Sequence, residues 1–225
     1  MYLNKLQLWN FRSYENLELL FSDGITVLSG ENGVGKTNIV EAIYLLCTGR
    51  SHRTNRENDM IRFERNWMRV RAEDIQKDGK HTVDMVLTKG QKKSSLVNGL
   101  AISRISEMLG QLSGVIFSPE DLEIIERGPD ARRHFIDMEL CQLDPMYLFH
   151  LTKYKQVLRQ RNELLKQIGL NKDLLDTLDI WNSELVKYGN YVISARKSFI
   201  DKLNDYIQEI HKNLTGQRET ITLRY

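Results

Sequence analysis

The eight residues from Gly30 to Thr37 read GENGVGKT and match the phosphate-binding pattern GxxxxGK[ST] at every fixed position. Ile25, Val27 and Leu28 form a short apolar run before the loop, and an apolar face at helical spacing follows it. That face consists of Ile39, Val40, Ile43, Leu46 and Cys47. The stretch therefore predicts a strand, a loop and a helix that together hold a nucleoside triphosphate.

Each residue type in this loop has a chemical reason. Gly30, Gly33 and Gly35 permit the positive φ angles that turn successive N–H groups toward an anion. The helix that follows adds the positive end of its dipole. We expect Lys36 to reach the β- and γ-phosphates and the Thr37 hydroxyl to ligate the Mg²⁺ that accompanies ATP. A glycine-rich turn that matches by chance is the alternative, and the flanking elements argue against it.

The composition limits the class of protein. A chain of 225 residues with 28% charged and 41% hydrophobic residues is ordinary for one or two globular domains. Its net charge of +2 is too small to indicate nucleic-acid binding without local clustering. Two cysteines, Cys47 and Cys141, favour a reducing compartment over a disulfide framework. No apolar run approaches the ~20 residues of a membrane helix, so we expect a cytoplasmic protein.

Residues 1–117 predict a strand-rich, ATP-binding lobe around one helix. Alternating apolar residues over 68–72 and 83–87 indicate half-buried antiparallel strands. Asn98 and Gly99 lie between two short apolar runs, which indicates a type I′ hairpin. Further strands are expected at 6–8, 17–21, 25–29 and 115–117.

Residues 118–225 predict a second, helical lobe. Ser118 is a candidate N-cap, Pro119 fits the first helical position, and Asp121 stands where a capping-box acid would stand. Breaks between helices are expected at Gly128–Pro129, at Asp144–Pro145 and near Gly169 and Asn171, and a short strand at 221–225.

A heptad-like apolar seam runs through the last long helix. Its spacing alternates between four and three residues, which favours an antiparallel helical hairpin with the preceding helix. Two core helices of a compact lobe would show a similar pattern, so both interpretations stay open. The seam residues are Leu174, Leu178, Trp181, Leu185, Tyr188, Val192, Ala195 and Phe199.

Several motifs resemble one family of ATPases. NFRSY at 10–14 and SGENGVGKTNIVEAIYLL at 29–46 resemble the ATP-binding heads of the SMC/RecF family of ABC-type ATPases. SHRT at 51–54, FSPEDL at 117–122 and GPDARRHFID at 128–137 are similar to its RecF branch. The resemblance covers essentially the whole chain. It implies a mixed α/β fold, in which a P-loop ABC-type head with an antiparallel strand region is joined to a helical lobe with a heptad-patterned hairpin.

The resemblance also implies which residues hold the nucleotide. A solvated surface arginine is the alternative for Arg12, which stands at the end of the first strand. Glu41 falls one turn beyond Thr37; its role stays open, and a plain helix-surface carboxylate is the alternative. The implied nucleotide-binding set is Arg12, Gly30, Glu31, Asn32, Gly33, Val34, Gly35, Lys36, Thr37 and Asn38.

Other family motifs do not occur in the chain. The segment 117–121 stands where the family places its γ-phosphate sensor, but it lacks the glutamine found elsewhere in the family. A Mg²⁺-binding Walker B strand at 115–117 is a weaker alternative, because capping explains the acids better. The likeness of 215–218 to the family's signature is interpreted as chance. With the signature and Walker B absent, we assign no catalytic residue and expect an amino-terminal portion that binds nucleotide weakly without hydrolysing it.

Local basic clusters indicate a possible nucleic-acid surface. By the resemblance, the complete protein dimerises with ATP, binds duplex or gapped DNA and works with RecR- and RecO-type mediator proteins. A solvated strand face is the alternative, and a second interpretation of Arg53 places it at the nucleotide. A P-loop small-molecule kinase and a non-catalytic nucleotide-binding module are the rival functions. The candidate DNA contacts are Arg50, Arg53, Arg56, Lys92 and Lys93.

Overall fold

The computed structural model describes residues 1–54, 56–104, 107–126, 128–168 and 172–225. These residues form two units, Met1–Asp121 and Leu122–Tyr225. None of the described helices is both long and apolar enough to cross a bilayer.

The first unit is organised around an antiparallel sheet. Within the described residues the sheet has six strands in the order β2-β1-β3-β4-β5-β6, and every neighbouring pair is antiparallel. The strands are β1 (Tyr2–Phe11), β2 (Tyr14–Leu20), β3 (Trp67–Gln76), β4 (Gly79–Thr88), β5 (Ser94–Val97) and β6 (Leu100–Ile102). Helix α1 (Lys36–Thr48) and a 3₁₀ turn (Glu57–Met60) lie between β2 and β3 in the chain.

The alternation predicted for the central strands is confirmed. In β3, Met68, Val70 and Ala72 are fully buried, and Val70 stands opposite the buried Met85 of β4. Successive side chains of a strand point to opposite faces, so these residues share the inner face with α1. The predicted hairpin is also confirmed, because Asn98 and Gly99 have φ of 51° and 79°, as a type I′ turn requires.

Helix α1 buries a face that differs from the predicted one. Ala42 and Leu45 are fully buried, whereas Val40 is 39% exposed. Ile39, Leu46 and Cys47 are buried as expected. The helix packs on the sheet with the side that carries Leu45. Which face of the helix is buried was therefore decided by a contact with strands distant in the sequence.

Two predicted strands are absent from the described structure. Ile25 and Val27, ahead of the phosphate loop, are 96% and 79% exposed. Val115 and Phe117 are each 82% exposed, and neither segment pairs with a described strand. The strand predictions at 25–29 and 115–117 were therefore wrong for this chain, because an extended segment becomes a strand only when a neighbour takes its hydrogen bonds.

The capping-box acid predicted at Asp121 is confirmed, in an element shorter than the predicted helix. The Asp121 carboxylate accepts hydrogen bonds from the Ser118 backbone N–H at 2.6 Å and from its hydroxyl at 3.1 Å. The element that follows is a 3₁₀ turn (Pro119–Leu122) and the short helix α2 (Glu123–Glu126). Because Asp121 is engaged in this cap, the capping interpretation of the acid is preferred to the Walker B alternative.

The second unit is helical, and two of its predicted breaks are confirmed. Helix α3 (Pro129–Leu143) begins at the first predicted break, and α4 (Pro145–Ile168) begins at the second. Proline fits both places because a first helical position needs no backbone N–H donor. A 3₁₀ turn (Lys172–Thr177) precedes α5 (Leu178–Leu214). The turn predicted near Gly169 and Asn171 lies outside the described residues.

Helices α4 and α5 form the predicted antiparallel hairpin. Near the start of α4, the His150 ring stacks on Tyr191 with centroids 4.0 Å apart. Farther along α4, the Arg161 Nε donates to Asn182, which lies earlier in α5, at 2.8 Å. Along the seam from Leu178 to Phe199, Val192 is buried and the other predicted positions are half-buried, whereas Leu174 belongs to the 3₁₀ turn.

The strand predicted at 221–225 is also wrong. Its Leu223 pairs with a helix side chain, since the Asn204 amide donates to the Leu223 carbonyl at 3.0 Å and accepts from its N–H at 2.8 Å. Upstream, Gly216 and Gln217 have φ of 60° and 62° in a turn that ends α5. A signature motif should open a helix, so this geometry agrees with interpreting 215–218 as a chance likeness.

Candidate nucleotide-binding site

The phosphate loop has the backbone that its sequence predicts. Gly30, Gly33 and Gly35 have φ of 144°, 86° and 104°, conformations that L side chains rarely adopt. Gly35 is the N-cap of α1 and provides no side-chain oxygen for the first turn. Residues 31–34 are exposed. The positive end of α1 therefore opens onto an accessible glycine-rich loop, as an anion site requires.

Lys36 lies folded over this loop. Its Nζ donates to the carbonyl oxygens of Gly30 at 2.8 Å and Glu31 at 2.7 Å. An ammonium group has three donors, so one is left for a ligand in the loop. Thr37 follows directly and is exposed, which suits its predicted place at the Mg²⁺ of a bound nucleotide.

The turn between β1 and β2 forms a wall against the loop. A Cβ built on Gly35 would lie 2.6 Å from the Ser13 Oγ and 2.9 Å from the Tyr14 hydroxyl oxygen. The Asn38 amide of α1 donates to Ser13 at 2.9 Å. The Tyr14 hydroxyl also donates to the Val34 carbonyl at 3.4 Å. A side chain at position 35 would therefore be strained by the φ angle of 104° and would also have to push the Ser13 and Tyr14 side chains aside.

Glu41 is the feature that the sequence interpretation missed. Its side chain has no exposed surface, so the alternative of a helix-surface carboxylate was wrong. The carboxylate accepts from the Arg12 Nε and Nη2 at 3.0 and 2.5 Å, and from the Ser51 hydroxyl at 2.5 Å. The Arg53 Nη1 adds a fourth bond at 3.2 Å.

The charge of Glu41 is stabilised by these donors. Burial alone would raise its pKa, but the hydrogen bonds from Arg12 and Ser51 and the charges of Arg12 and Arg53 outweigh burial. The pKa of Glu41 is therefore lowered below its ordinary value of 4.5. The group is a carboxylate at neutral pH.

Arg12 is bound on all three of its side-chain nitrogens. Besides the two bonds to Glu41, its Nη1 donates to the Asp59 carbonyl at 2.7 Å. Its backbone N–H donates to the Met60 carbonyl at 2.9 Å, and its φ is 51°. The side chain is 19% exposed. It is thus no solvated surface arginine, and its approach to the phosphates stays a prediction.

An open cavity of about 670 Å³ lies beside the loop helix. Arg12, Ser13 and Asn38 line one part of it, so it adjoins the predicted nucleotide-binding residues. Its remaining lining comes from the 3₁₀ turn, the segment after it and one lysine after β4, namely Asn58, Asp59, Ile61, Arg62, Phe63, Glu64 and Lys89.

The predicted DNA contacts differ in how available they are. Arg50, Arg56 and Lys92 are exposed. Arg53 is partly engaged, because its Nη1 donates to the Asn38 Oδ1 at 2.9 Å as well as to Glu41. Lys93 is bound to the Glu57 carboxylate at 2.5 Å and to the Gly49 carbonyl at 3.1 Å, at the carboxyl end of α1. The DNA role of all five stays a prediction.

Metal ligands are not gathered in the part of the chain that the structure describes: there, no three His, Cys, Asp or Glu side chains could hold an ion together.

Comparison with known proteins supports the resemblance read from the motifs. The model of the family described as "AAA domain" matches residues 5–222, which is nearly the whole chain. The chain belongs to this AAA-domain family. It is 45% identical over all 225 residues to the DNA replication and repair protein RecF of Agathobacter rectalis. The chain is therefore a RecF homologue, as its motifs predicted, and it spans 62% of the length of that curated relative.

Solved structures agree with this assignment. A structure of the recombination mediator protein RecF with ATP, in the RecFOR pathway, superposes with a TM-score of 0.91 at 32% identity, over 96% of this chain and 58% of that one. A structure from work on ATP-driven dimerization and DNA-stimulated activation of SMC ATPases gives a TM-score of 0.52 at 25% identity, over 61% of this chain and 98% of that one. The mixed α/β fold, with its antiparallel sheet and long helices, is thus that of a RecF head.

Proposed function

We propose that this chain is the ATP-binding part of a RecF-like DNA repair ATPase. The observation that carries the proposal is the phosphate loop itself. Three glycines with positive φ lead directly into the positive end of α1, and Lys36 closes over them. The relatives support ATP as the nucleotide, since one RecF structure was solved with it.

The residues of the loop have distinct parts in this binding. The backbone N–H groups of residues 31–37 surround the phosphates, and the third donor of Lys36 bonds to a terminal phosphate oxygen. Thr37 ligates Mg²⁺, whose charge offsets that of the triphosphate. Arg12 and Asn38 lie at the edge of the adjoining cavity, where the rest of the nucleotide has room.

The Walker B and signature motifs that the family uses for hydrolysis were not found in the sequence. Two apolar segments, at Ile25 and Val27 and at Val115 and Phe117, lie exposed in the first unit. Contiguous exposed apolar patches usually mark an interaction surface, and we infer that these residues contribute to one. The relatives are longer than this chain, and their additional residues could cover such a surface. We infer that the 225 residues bind ATP without turnover, whereas the complete protein hydrolyses it weakly.

The wider role follows from the relatives and the exposed basic residues. In the complete protein, ATP drives dimerisation on duplex or gapped DNA in the cytoplasm, with RecO- and RecR-type partners. The name of the RecFOR pathway supports these partners, and exposed Arg50, Arg56 and Lys92 are suited to the DNA phosphates.

Equilibrium titration of MgATP against the wild-type chain and Lys36→Ala tests the proposal. Removing a charged hydrogen-bond donor costs about 1.5–3 kcal/mol, so binding should weaken about 10- to 100-fold. Lys77→Ala, at an exposed lysine outside the site, is the control and should bind as wild type does. Equal affinity of wild type and Lys36→Ala would refute the site. Phosphate release by the chain that Lys36→Ala abolishes would refute the absence of turnover.

A further inference from the structure

A buried carboxylate lies one helical turn behind the phosphate loop and has no direct part in the proposed ATP contacts. Glu41 is wholly enclosed, and its two oxygens accept four hydrogen bonds from Arg12, Ser51 and Arg53. The bidentate bond to Arg12 is the most shielded, because the two side chains are 0% and 19% exposed. Bidentate arginine–carboxylate pairs fix orientation as well as charge.

Arg12 stands at a strained point of the backbone. Its φ of 51° and the φ of 49° at Asn10 are unusual for residues other than glycine. Such conformations persist where the surroundings hold them in place. Here the surroundings are the Glu41 carboxylate, the Asp59 carbonyl and the Met60 carbonyl, all of which bind Arg12.

The residues after Arg12 touch the phosphate loop. Ser13 and Tyr14 both lie within 3 Å of the place where a Cβ on Gly35 would stand. Ser13 also accepts from Asn38 in the first turn of α1. The position of this turn therefore sets the wall against which the loop folds.

We propose that Glu41 is a positioning residue for the nucleotide. By holding Arg12, its carboxylate seats the turn between β1 and β2 against the phosphate loop, so that ATP affinity depends on a residue that does not touch ATP. The proposal rests on the ATP binding proposed above. A carboxylate is needed because a glutamine in its place would present an NH₂ group to the donors of Arg12.

The test is a double-mutant cycle on MgATP affinity in the full chain. Dissociation constants are measured, well below melting, for wild type, Glu41→Gln, Arg12→Met and the double variant. We expect Glu41→Gln to weaken binding about tenfold in the wild-type background and to have no further effect beside Arg12→Met, because it acts through Arg12. Glu163→Gln is the matched control, since the ion pair of Glu163 with Lys166 is 59% and 72% exposed and belongs to α4 of the second unit.

The outcomes separate positioning from mere stability. If Glu41 served stability alone, Glu41→Gln would lower the melting temperature and leave the dissociation constant of the folded chain unchanged, which overturns the proposal. A tenfold loss that persists beside Arg12→Met overturns it too. Should Glu41→Gln not fold, Glu41→Asp, whose carboxylate is one methylene shorter, takes its place in the same cycle.

The Lys36→Ala titration proposed above, run beside this cycle, keeps the two proposals apart. If Lys36→Ala binds MgATP about 10- to 100-fold more weakly than wild type does, the loop is the ATP site, and the result of the cycle then decides the role of Glu41. If wild type binds no MgATP, the proposed function fails and the positioning role fails with it.

Discussion

A buried ion pair in the second unit gives the sharpest stability prediction. Asp137 on α3 accepts from the Arg196 Nη2 and Nε on α5 at 2.7 and 2.9 Å. The Tyr147 hydroxyl on α4 donates to the same carboxylate oxygen at 2.5 Å. The Asp137 and Arg196 side chains are 8% and 11% exposed. One carboxylate thus joins three helices.

The expected cost of Asp137→Asn follows from this burial. Removing one partner of a buried ion pair leaves the other charge uncompensated, at about 3–5 kcal/mol. The asparagine side chain keeps the shape and one acceptor oxygen, so we expect the lower end of that range, about 3 kcal/mol. Since whole domains are stable by about 5–15 kcal/mol, this is a large fraction of the free energy of unfolding.

Urea denaturation followed by circular dichroism at the helical minimum measures the effect, because the second unit is helical. Asp130→Asn is the control on the same helix, since Asp130 is 98% exposed in its pair with Arg133. Such surface pairs contribute about 0–1 kcal/mol. A loss for Asp137→Asn no larger than that for Asp130→Asn would refute the reasoning that burial makes the carboxylate essential.

Three further predictions concern the first unit. Gly35→Ala should abolish MgATP binding in a titration. A side chain is strained at a φ of 104°, and the new Cβ would lie 2.6 Å from the Ser13 Oγ. Binding equal to that of wild type would contradict the contact of the β1–β2 turn with the phosphate loop. Burial, with a smaller effect of Asp74, raises the pKa of the Cys47 thiol to about 12. Iodoacetamide at neutral pH should therefore label Cys47 only after unfolding, as detected by mass spectrometry. Prompt labelling of the folded chain would count against this burial. Because the pKa of Glu41 is lower in the folded chain than its ordinary value of 4.5, the ionised carboxylate stabilises the fold above pH 4.5. This contribution to the free energy of unfolding is lost as the pH falls through the folded pKa. Melting temperatures of wild type should therefore fall more steeply below pH 4.5 than those of Glu41→Gln, and parallel curves would disprove the linkage.

Features governed by local signals could be predicted from the sequence. The loop glycines, the Asn98–Gly99 turn and the prolines that begin α3 and α4 each act within a few residues. The alternation of buried and half-buried residues in β3 could be predicted for the same reason, because the two-residue period of a strand is visible within the strand's own sequence.

Features governed by distant partners could not be predicted. The segments 25–29 and 115–117 are apolar enough for strands, but strand formation depends on a neighbour elsewhere in the chain. Glu41 looked like an ordinary helix-surface acid, and its burial is decided by Arg12, 29 positions earlier. The one available signal was its place four residues before Leu45, on what proves to be the buried side of α1.

The length of α5 has a mechanical consequence. With 37 residues it forms a rod of about 55 Å, whereas the 24 residues of α4 extend about 36 Å. Its early part packs on α4, where Asn182 accepts from Arg161. Its later part binds the end of the chain, because the Asn204 amide donates to the Leu223 carbonyl. A stiff rod works as a lever, so a tilt of about 10° at one end would move the other by roughly 10 Å. Because Asp137 and Asp144 hold α5 at Arg196 and Tyr191, such a tilt would have to move α3 together with α5.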